Sequence, residues 1–181
     1  NALKVMVELA EYQKDESKKE KYERMANKCK KSFREKFYNK SKKCLYDVLE
    51  DGKVRPNQLF ALSLSYPVLD VNSKEAKEMF ETVTKKLLNK YGLKTLAKGE
   101  ENYIDIYEGN GFKRDFSYHQ GITWTWLLGL YYNCLKRFAT ESRTGKKKYN
   151  EQLEEFIQSV TETFSKEINE RGCIGSIAEI Y

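Results

Sequence analysis

Residues 121–135 read GITWTWLLGLYYNCL, a stretch that would be apolar on almost every face of a helix. Two other stretches share this character, ALKVMVELA at 2–10 and QLFALSLSY at 58–66. A helix that is apolar all round is usually buried on most of its faces. The three stretches therefore predict buried helices. We place them at 2–12, 57–66 and 120–138.

An amphipathic segment follows each of these stretches. Its apolar residues recur about every 3.6 positions with charged residues between them, as on a helix with one buried face. The middle segment has a capping pair, Asn72 and Glu75, at its start and Gly92 just beyond its end. We place the amphipathic helices at 17–37, 72–90 and 147–170.

The alternation of buried and amphipathic helices predicts an all-α fold with inner helices wrapped by outer ones, a partial (α/α) barrel or toroid. A two-layer α-solenoid would alternate in the same way, but its repeats would resemble one another at a fixed period, and these segments do not. Long connections at 38–56, 91–119 and from 171 onward would meet at one end of a toroid. Long polar connections of this kind often carry function.

Charge and composition exclude several classes of partner. The chain has 33 Lys and Arg against 27 Asp and Glu, a net charge of +6, but the cations alternate with Glu on predicted helix faces. This pattern is typical of a solvated helix surface and not of a nucleic-acid-binding stripe. No apolar run approaches the roughly 18 residues of a membrane span. We therefore expect neither nucleic acid nor a membrane as a partner.

The four cysteines and the single histidine match no metal-binding spacing. We therefore expect no metal and no cofactor. Cysteines without an evident pairing pattern favour a reducing compartment, so the expected location is cytoplasmic.

Three polar clusters fall in the long connections. In the first, Tyr46 precedes Arg55, Asn57 and Gln58, whose planar donors and acceptors suit sugar hydroxyls, although Pro56 also suits a simple helix start. The second places the only histidine and both tryptophans within eight residues. Carboxylate, amide, imidazole and aromatic faces are the groups that carbohydrate sites combine, although a lone histidine beside a tryptophan can also be a core residue. The candidate sugar ligands of the second cluster are Asp115, Tyr118, His119, Gln120, Trp124 and Trp126.

The third cluster is the segment 172–181, in which Glu179 stands among apolar residues and glycines. Burial would raise the pKa of such a carboxyl, which is a common way to tune a group for proton transfer. By itself this signal is weak.

Four stretches resemble the amylo-α-1,6-glucosidase domain of glycogen-debranching enzymes, in order along the whole chain. They are RPNQLFALSLSYPVLD (55–70), YGLKTLA (91–97), RDFSYHQGITWTWLLG (114–129) and GCIGSIAEIY (172–181). The opening NALKVMVELAEY resembles the same domain. The chain departs from the usual family pattern at Lys94, Thr125 and Ala178, and none of these is a proposed catalytic group.

The resemblance implies an (α/α) barrel glucosidase that removes the α-1,6-linked glucosyl residue at a branch point of glycogen or limit dextrin. Such barrels are typically inverting and use two carboxyl groups, and Glu179 matches the position of one, most simply the general base. On this basis residues 1–181 would be the C-terminal portion of one barrel domain, incomplete at both ends. We then expect the isolated chain to be inactive and to self-associate through its broken edges, around 2–12 and 147–181.

Two other functions fit the same residues. A glucoamylase- or trehalase-like enzyme would keep the barrel and change the substrate. A helical scaffold that binds glycogen or a protein would need no catalytic group, and its polar motifs would spread over a concave face.

Overall fold

A computed structural model describes all 181 residues and contains seven α-helices and five short strands. The strands are β1 (Tyr38–Asn39), β2 (Cys44–Leu45), β3 (Leu88–Asn89), β4 (Gly92–Lys94) and β5 (Thr123–Trp124). A 3₁₀ turn at Pro56–Leu59 runs directly into α3. The helices are α1 (Ala2–Tyr12), α2 (Glu16–Lys36), α3 (Phe60–Ser63), α4 (Lys74–Lys86), α5 (Gly111–Ser117), α6 (Leu127–Glu141) and α7 (Lys146–Glu170).

The hydrophobic core lies between α3, α4, α6 and α7. Its centre is aromatic, because the ring of Phe80 in α4 lies 4.9 Å from that of Tyr131 and 5.0 Å from that of Phe138, both in α6. Phe138 also stacks on Tyr149 at the start of α7. The predicted mostly helical character is confirmed. No helix has the length and apolarity that crossing a bilayer would require.

The prediction of a buried helix at 2–12 is wrong for this structure, although the bounds of α1 are as expected. Only Val7 and Ala10 of α1 are buried. α1 packs mainly against α2, and α2 covers one side of it only. The apolar side chains on the remaining face are therefore exposed to solvent. They are Val5, Met6, Leu9 and Tyr12.

The helix predicted at 72–90 is shorter than expected. Its N-cap is Ser73, whose hydroxyl accepts the N–H of Ala76 at 3.2 Å. Asn72 instead accepts the backbone N–H of Arg143, so it ties the start of α4 to the chain that follows α6. Beyond Lys86 the chain forms the β3–β4 hairpin, which Gly92 enters as a strand residue.

The helix predicted at 120–138 begins only at Leu127, because Thr123 and Trp124 form strand β5. β5 pairs with β4 on one side, and the backbones of Thr123 and Tyr181 exchange two hydrogen bonds on the other. These partners lie far away in sequence, and their pairing overrides the local apolar pattern. Helix α5, inside the connection 91–119, was not predicted. It is capped by the Asn110 side chain, which accepts the N–H of Lys113.

Candidate active site

A cleft of about 500 Å³ lies between the segment 47–57 and the segment 119–127. Parts of the first and second polar clusters therefore face one another, although the two segments are more than 60 residues apart in sequence. A volume of this size is typical of a small-molecule site. The lining residues are Asp47, Asp51, Arg55, Pro56, Asn57, Thr95, His119, Trp124, Trp126 and Leu127.

Arg55 holds the two sides of the cleft together. One guanidinium nitrogen donates to the carbonyls of His119 at 2.7 Å and Thr95 at 3.1 Å, and the other donates to the Gln120 side-chain oxygen at 3.0 Å. The planar guanidinium can serve these acceptors together, which a lysine ammonium could not do in the same geometry. Arg55 thus fixes the backbone on which His119 stands.

The wall formed by residues 47–57 also carries two carboxylates. Asp47 accepts a hydrogen bond from the Asn57 amide at 2.9 Å. Asp51 accepts the backbone N–H of Lys53 at 3.0 Å, and the Lys53 ammonium lies 3.9 Å away. Both carboxylates act as acceptors within the wall. The Asn57 amide oxygen accepts no side-chain hydrogen bond within the protein and is available to a ligand hydroxyl.

Aromatic rings form the remaining side. The His119 imidazole stacks on the Trp124 indole, with ring centroids 5.2 Å apart and an angle of 14° between the planes. The Trp124 indole N–H donates to the Tyr118 carbonyl at 3.0 Å, so the orientation of the indole is fixed. Trp126 is 54% exposed and lies at the rim with its ring 6.5 Å from that of Phe60. Flat apolar faces of this kind are suited to the C–H face of a pyranose.

Glu179 is held beside this aromatic wall. Its backbone carbonyl accepts the N–H of Thr125, and the next residue but one, Tyr181, pairs with Thr123. The carboxylate accepts a hydrogen bond from the Tyr118 hydroxyl at 2.7 Å. That hydrogen bond, with a smaller contribution from burial, raises the pKa of Tyr118 to about 12. The third sequence cluster therefore joins the second one.

Residues 171–181 reach this position through contacts with α7 and the β3–β4 hairpin. The Tyr181 ring stacks on that of Tyr91 at 4.2 Å, and the Tyr181 hydroxyl contacts Glu167 at 3.2 Å. The Arg171 guanidinium bonds both the Tyr91 hydroxyl and the Glu167 carboxylate. Two of these contacts are to Glu167 of α7 and two are to Tyr91 of the hairpin, so the position of Glu179 depends on both elements.

A sequence model of the family described as amylo-alpha-1,6-glucosidase matches residues 1–181. The chain belongs to that family. The match covers every residue described above, and it confirms the family that was expected from the RPNQ and YHQG blocks. The amylo-alpha-1,6-glucosidase description makes the chain part of a glycosidase-related family.

Within this family member, the candidate residues occupy different positions relative to the cleft. Arg55, Asn57, His119, Trp124 and Trp126 line it directly. Tyr118, Gln120 and Glu179 are not among the lining residues. Tyr118 contacts Trp124, Gln120 accepts a hydrogen bond from Arg55, and Glu179 is bonded to Tyr118. Tyr46 lines an adjoining hollow of about 250 Å³ that shares Asp47 and Asn57 with the cleft.

Gln58 and Asp115 stand apart from the others. Gln58 is buried, and its amide accepts the N–H of Leu45 and donates to the carbonyl of Arg55. It therefore shapes the wall on which Arg55 stands. Asp115 lies on the exposed surface of α5, its carboxylate makes no hydrogen bond or ion pair, and it is not among the lining residues. A direct role for either in sugar binding stays a prediction.

Thr95 is a site residue that the sequence did not suggest. Its hydroxyl accepts the N–H of Gly121 and donates to the Ile122 carbonyl, while its own carbonyl accepts Arg55. Gly121 has a φ of +148°, and a Cβ there would lie 2.4 Å from the Ile104 carbonyl oxygen. Only glycine fits where residue 121 passes so close to the backbone of Ile104. This close approach brings residues 119 and 120 within hydrogen-bonding distance of Arg55. No local sequence pattern marks Thr95.

Proposed function

We propose that this chain provides the sugar-binding cleft and the general base of a glucosidase that removes α-1,6-linked glucosyl residues at branch points of glycogen or limit dextrin. The observation that carries the proposal is that residues of the first and second polar clusters line one cleft, with amide, imidazole and indole groups on its walls. Glu179 of the third cluster is joined to the aromatic side of this cleft through Tyr118, which bonds the Glu179 carboxylate and contacts Trp124. Membership of the amylo-alpha-1,6-glucosidase family supports the reaction class.

In this proposal, the glucosyl ring packs its C–H face on the aromatic wall formed by Trp124 and Trp126. Its hydroxyls form hydrogen bonds with the Asn57 amide oxygen, the His119 imidazole and the Asp47 carboxylate. Arg55 acts by holding His119 and Gln120 in place. A rigid and pre-formed set of donors and acceptors limits the entropic cost of binding.

Glu179 acts as the general base of an inverting reaction. Its carboxylate takes a proton from water, and the water oxygen bonds to the anomeric carbon as the bond to the leaving oxygen breaks. A second carboxyl group, about 6.5–9.5 Å from the first, gives its proton to the leaving oxygen. Asp47 and Asp51 already serve as acceptors in the cleft wall, and we assign the acid to neither. We propose that residues outside these 181 supply it, so the isolated chain is inactive.

The uncovered face of α1 supports a larger assembly. Val5, Met6, Leu9 and Tyr12 present apolar surface that water-exposed helices normally avoid in such density. We propose that further helices of an (α/α) barrel cover this face in the full-length protein, with 1–181 as part of one domain. In the isolated chain, the same face would favour self-association. All four cysteines are free thiols, which suits the cytoplasmic location that we propose.

The test is glucose release from limit dextrin by the full-length protein, with proton NMR of the anomer that is formed first. We expect β-glucose from the α-linkage, and we expect Glu179→Gln to lower kcat about 10²–10⁴-fold while sugar binding persists. Azide, which needs no general base, should restore turnover as glucosyl azide. Asp115→Asn is the matched control and should gain nothing from azide. α-Glucose as the first product, or a near-normal rate for Glu179→Gln, would reject the proposal.

A further inference from the structure

We propose that Tyr118 is a positioning residue that sets the orientation of the Glu179 carboxylate, and that it is not a sugar ligand. This inference rests on the proposed role of Glu179 as the general base. It assigns to Tyr118 a function different from the one that its sequence cluster suggested.

The Tyr118 ring is fixed from several sides. Its centroid lies 4.6 Å from that of Trp124 in an edge-to-face contact, 5.0 Å from that of His119 and 5.7 Å from that of Tyr107. Its backbone ends α5, and its carbonyl is bonded by the Trp124 indole. Aromatic pairs at these centroid distances favour defined relative orientations of their rings. The hydroxyl therefore stands at a fixed point.

The Glu179 side chain, by contrast, has little else to hold it. Its backbone is attached to Thr125, but the residue is exposed. Its carboxylate makes one hydrogen bond, to the Tyr118 hydroxyl, and no ion pair. A glutamate side chain with three free torsions would otherwise sample many rotamers. The bond to Oε2 selects one of them and leaves Oε1 open to accept a proton from water.

The Tyr118 hydroxyl keeps the proton that this hydrogen bond needs at neutral and mildly acidic pH. Its pKa is raised to about 12, chiefly because the hydrogen bond to the Glu179 carboxylate favours the protonated phenol. The hydroxyl has one proton, and that proton is directed at the carboxylate. That proton is therefore unavailable for donation to a sugar hydroxyl. We expect removal of the Tyr118 hydroxyl to slow the chemical step and to leave ground-state binding intact.

The matched variants are Tyr118→Phe and Tyr107→Phe in the full-length protein. Both keep the ring and its packing and remove one hydroxyl, but only the Tyr118 hydroxyl has a partner. For Tyr118→Phe we expect kcat to fall about 10- to 100-fold, the loss typical of a misplaced catalytic group, with KM changed less than about twofold. Azide should restore part of the lost turnover. Tyr107→Phe should match the parent in kcat and KM, and thermal melting checks folding.

Combining the change with Glu179→Gln gives a second readout. If Tyr118 acts only through Glu179, adding Tyr118→Phe to Glu179→Gln should lower kcat no further. If the two residues act independently, the fold-losses in kcat of the single variants should multiply in the double variant. A large rise in KM for Tyr118→Phe with kcat unchanged would make Tyr118 a sugar ligand and overturn the inference, as would unchanged kinetics or fully multiplicative losses. If Glu179→Gln itself keeps a near-normal rate, the proposed function fails, and with it the premise of this inference.

Discussion

Two helix pairs of this chain have the same sequence pattern and different surroundings. The pairs are α1 with α2, and α6 with α7, and each consists of an apolar helix followed by a long charged one. α6 buries seven of its residues, whereas α1 buries two. α6 packs against α3 and α7 and against Phe80 of α4, whereas α1 packs mainly against α2. An apolar pattern therefore predicts which residues of a helix can be buried. Whether they are buried depends on the elements that pack around the helix.

The difference has a functional side. The cleft belongs to the region around α6, since Leu127 at the start of that helix lines it and Trp124 and Trp126 precede the helix directly. α1 contributes nothing to the cleft lining. The better-packed part of the molecule is thus the part that positions the residues of the candidate cleft.

The largest expected contrast is in stability. Phe138→Ala would empty a fully buried position in α6 that touches Phe80 and Tyr149, and we expect the free energy of unfolding to fall by about 3–5 kcal/mol. Leu9→Ala in α1 removes a side chain that is 49% exposed, so the loss should stay below about 1 kcal/mol. Urea unfolding followed by circular dichroism measures both. Equal losses would mean that α1 is as well packed as α6.

The long helices α1, α2 and α7 could be predicted from the sequence, and the cleft geometry could not. The apolar spacing around Val7 and Phe164 is a local property, and the bounds of α1 and α7 match the predictions within a residue. The strand at Thr123 depends on residues 94 and 181, which no local pattern links to it. The residue types at Arg55 and His119 indicated a site, but their approach depends on the close backbone contact at Gly121.

A smaller effect is expected where β4 and β5 meet. A Cβ at Gly92 would lie 2.2 Å from the Trp124 carbonyl oxygen, so Gly92→Ala should force the two strands apart. We expect a loss of about 1–3 kcal/mol in urea unfolding, with a changed near-ultraviolet signal from Trp124. Gly111→Ala is the control, because it lies at the start of α5 with open space around its Cβ position. Similar losses for the two variants would show that the close approach is not what matters.

The smallest contrast concerns one thiol in each region, and it is a matter of rate. Cys29 in α2 is exposed, whereas Cys134 in α6 is buried, and burial raises the pKa of its thiol to about 12. The thiolate is the reactive form, so an aromatic disulfide reagent at mildly alkaline pH should modify Cys29 rapidly and Cys134 only after unfolding. Mass spectrometry of the labelled peptides gives the two rates. Comparable rates in the native chain would contradict the burial of α6.

The most direct test of the central claim, that segments 47–57 and 119–127 form one sugar-binding cleft, uses intrinsic fluorescence. Trp124 and Trp126 are the only tryptophans of this chain, and both line the cleft. We would titrate the chain with an α-1,6-branched glucosyl oligosaccharide, with a β-linked glucose oligomer as the control sugar, and follow emission and acrylamide quenching while calorimetry reports binding. We expect the branched sugar to produce a saturable change in emission and to lower acrylamide quenching, and we expect the β-linked sugar to produce neither. Calorimetric binding that leaves both signals unchanged would contradict the central claim.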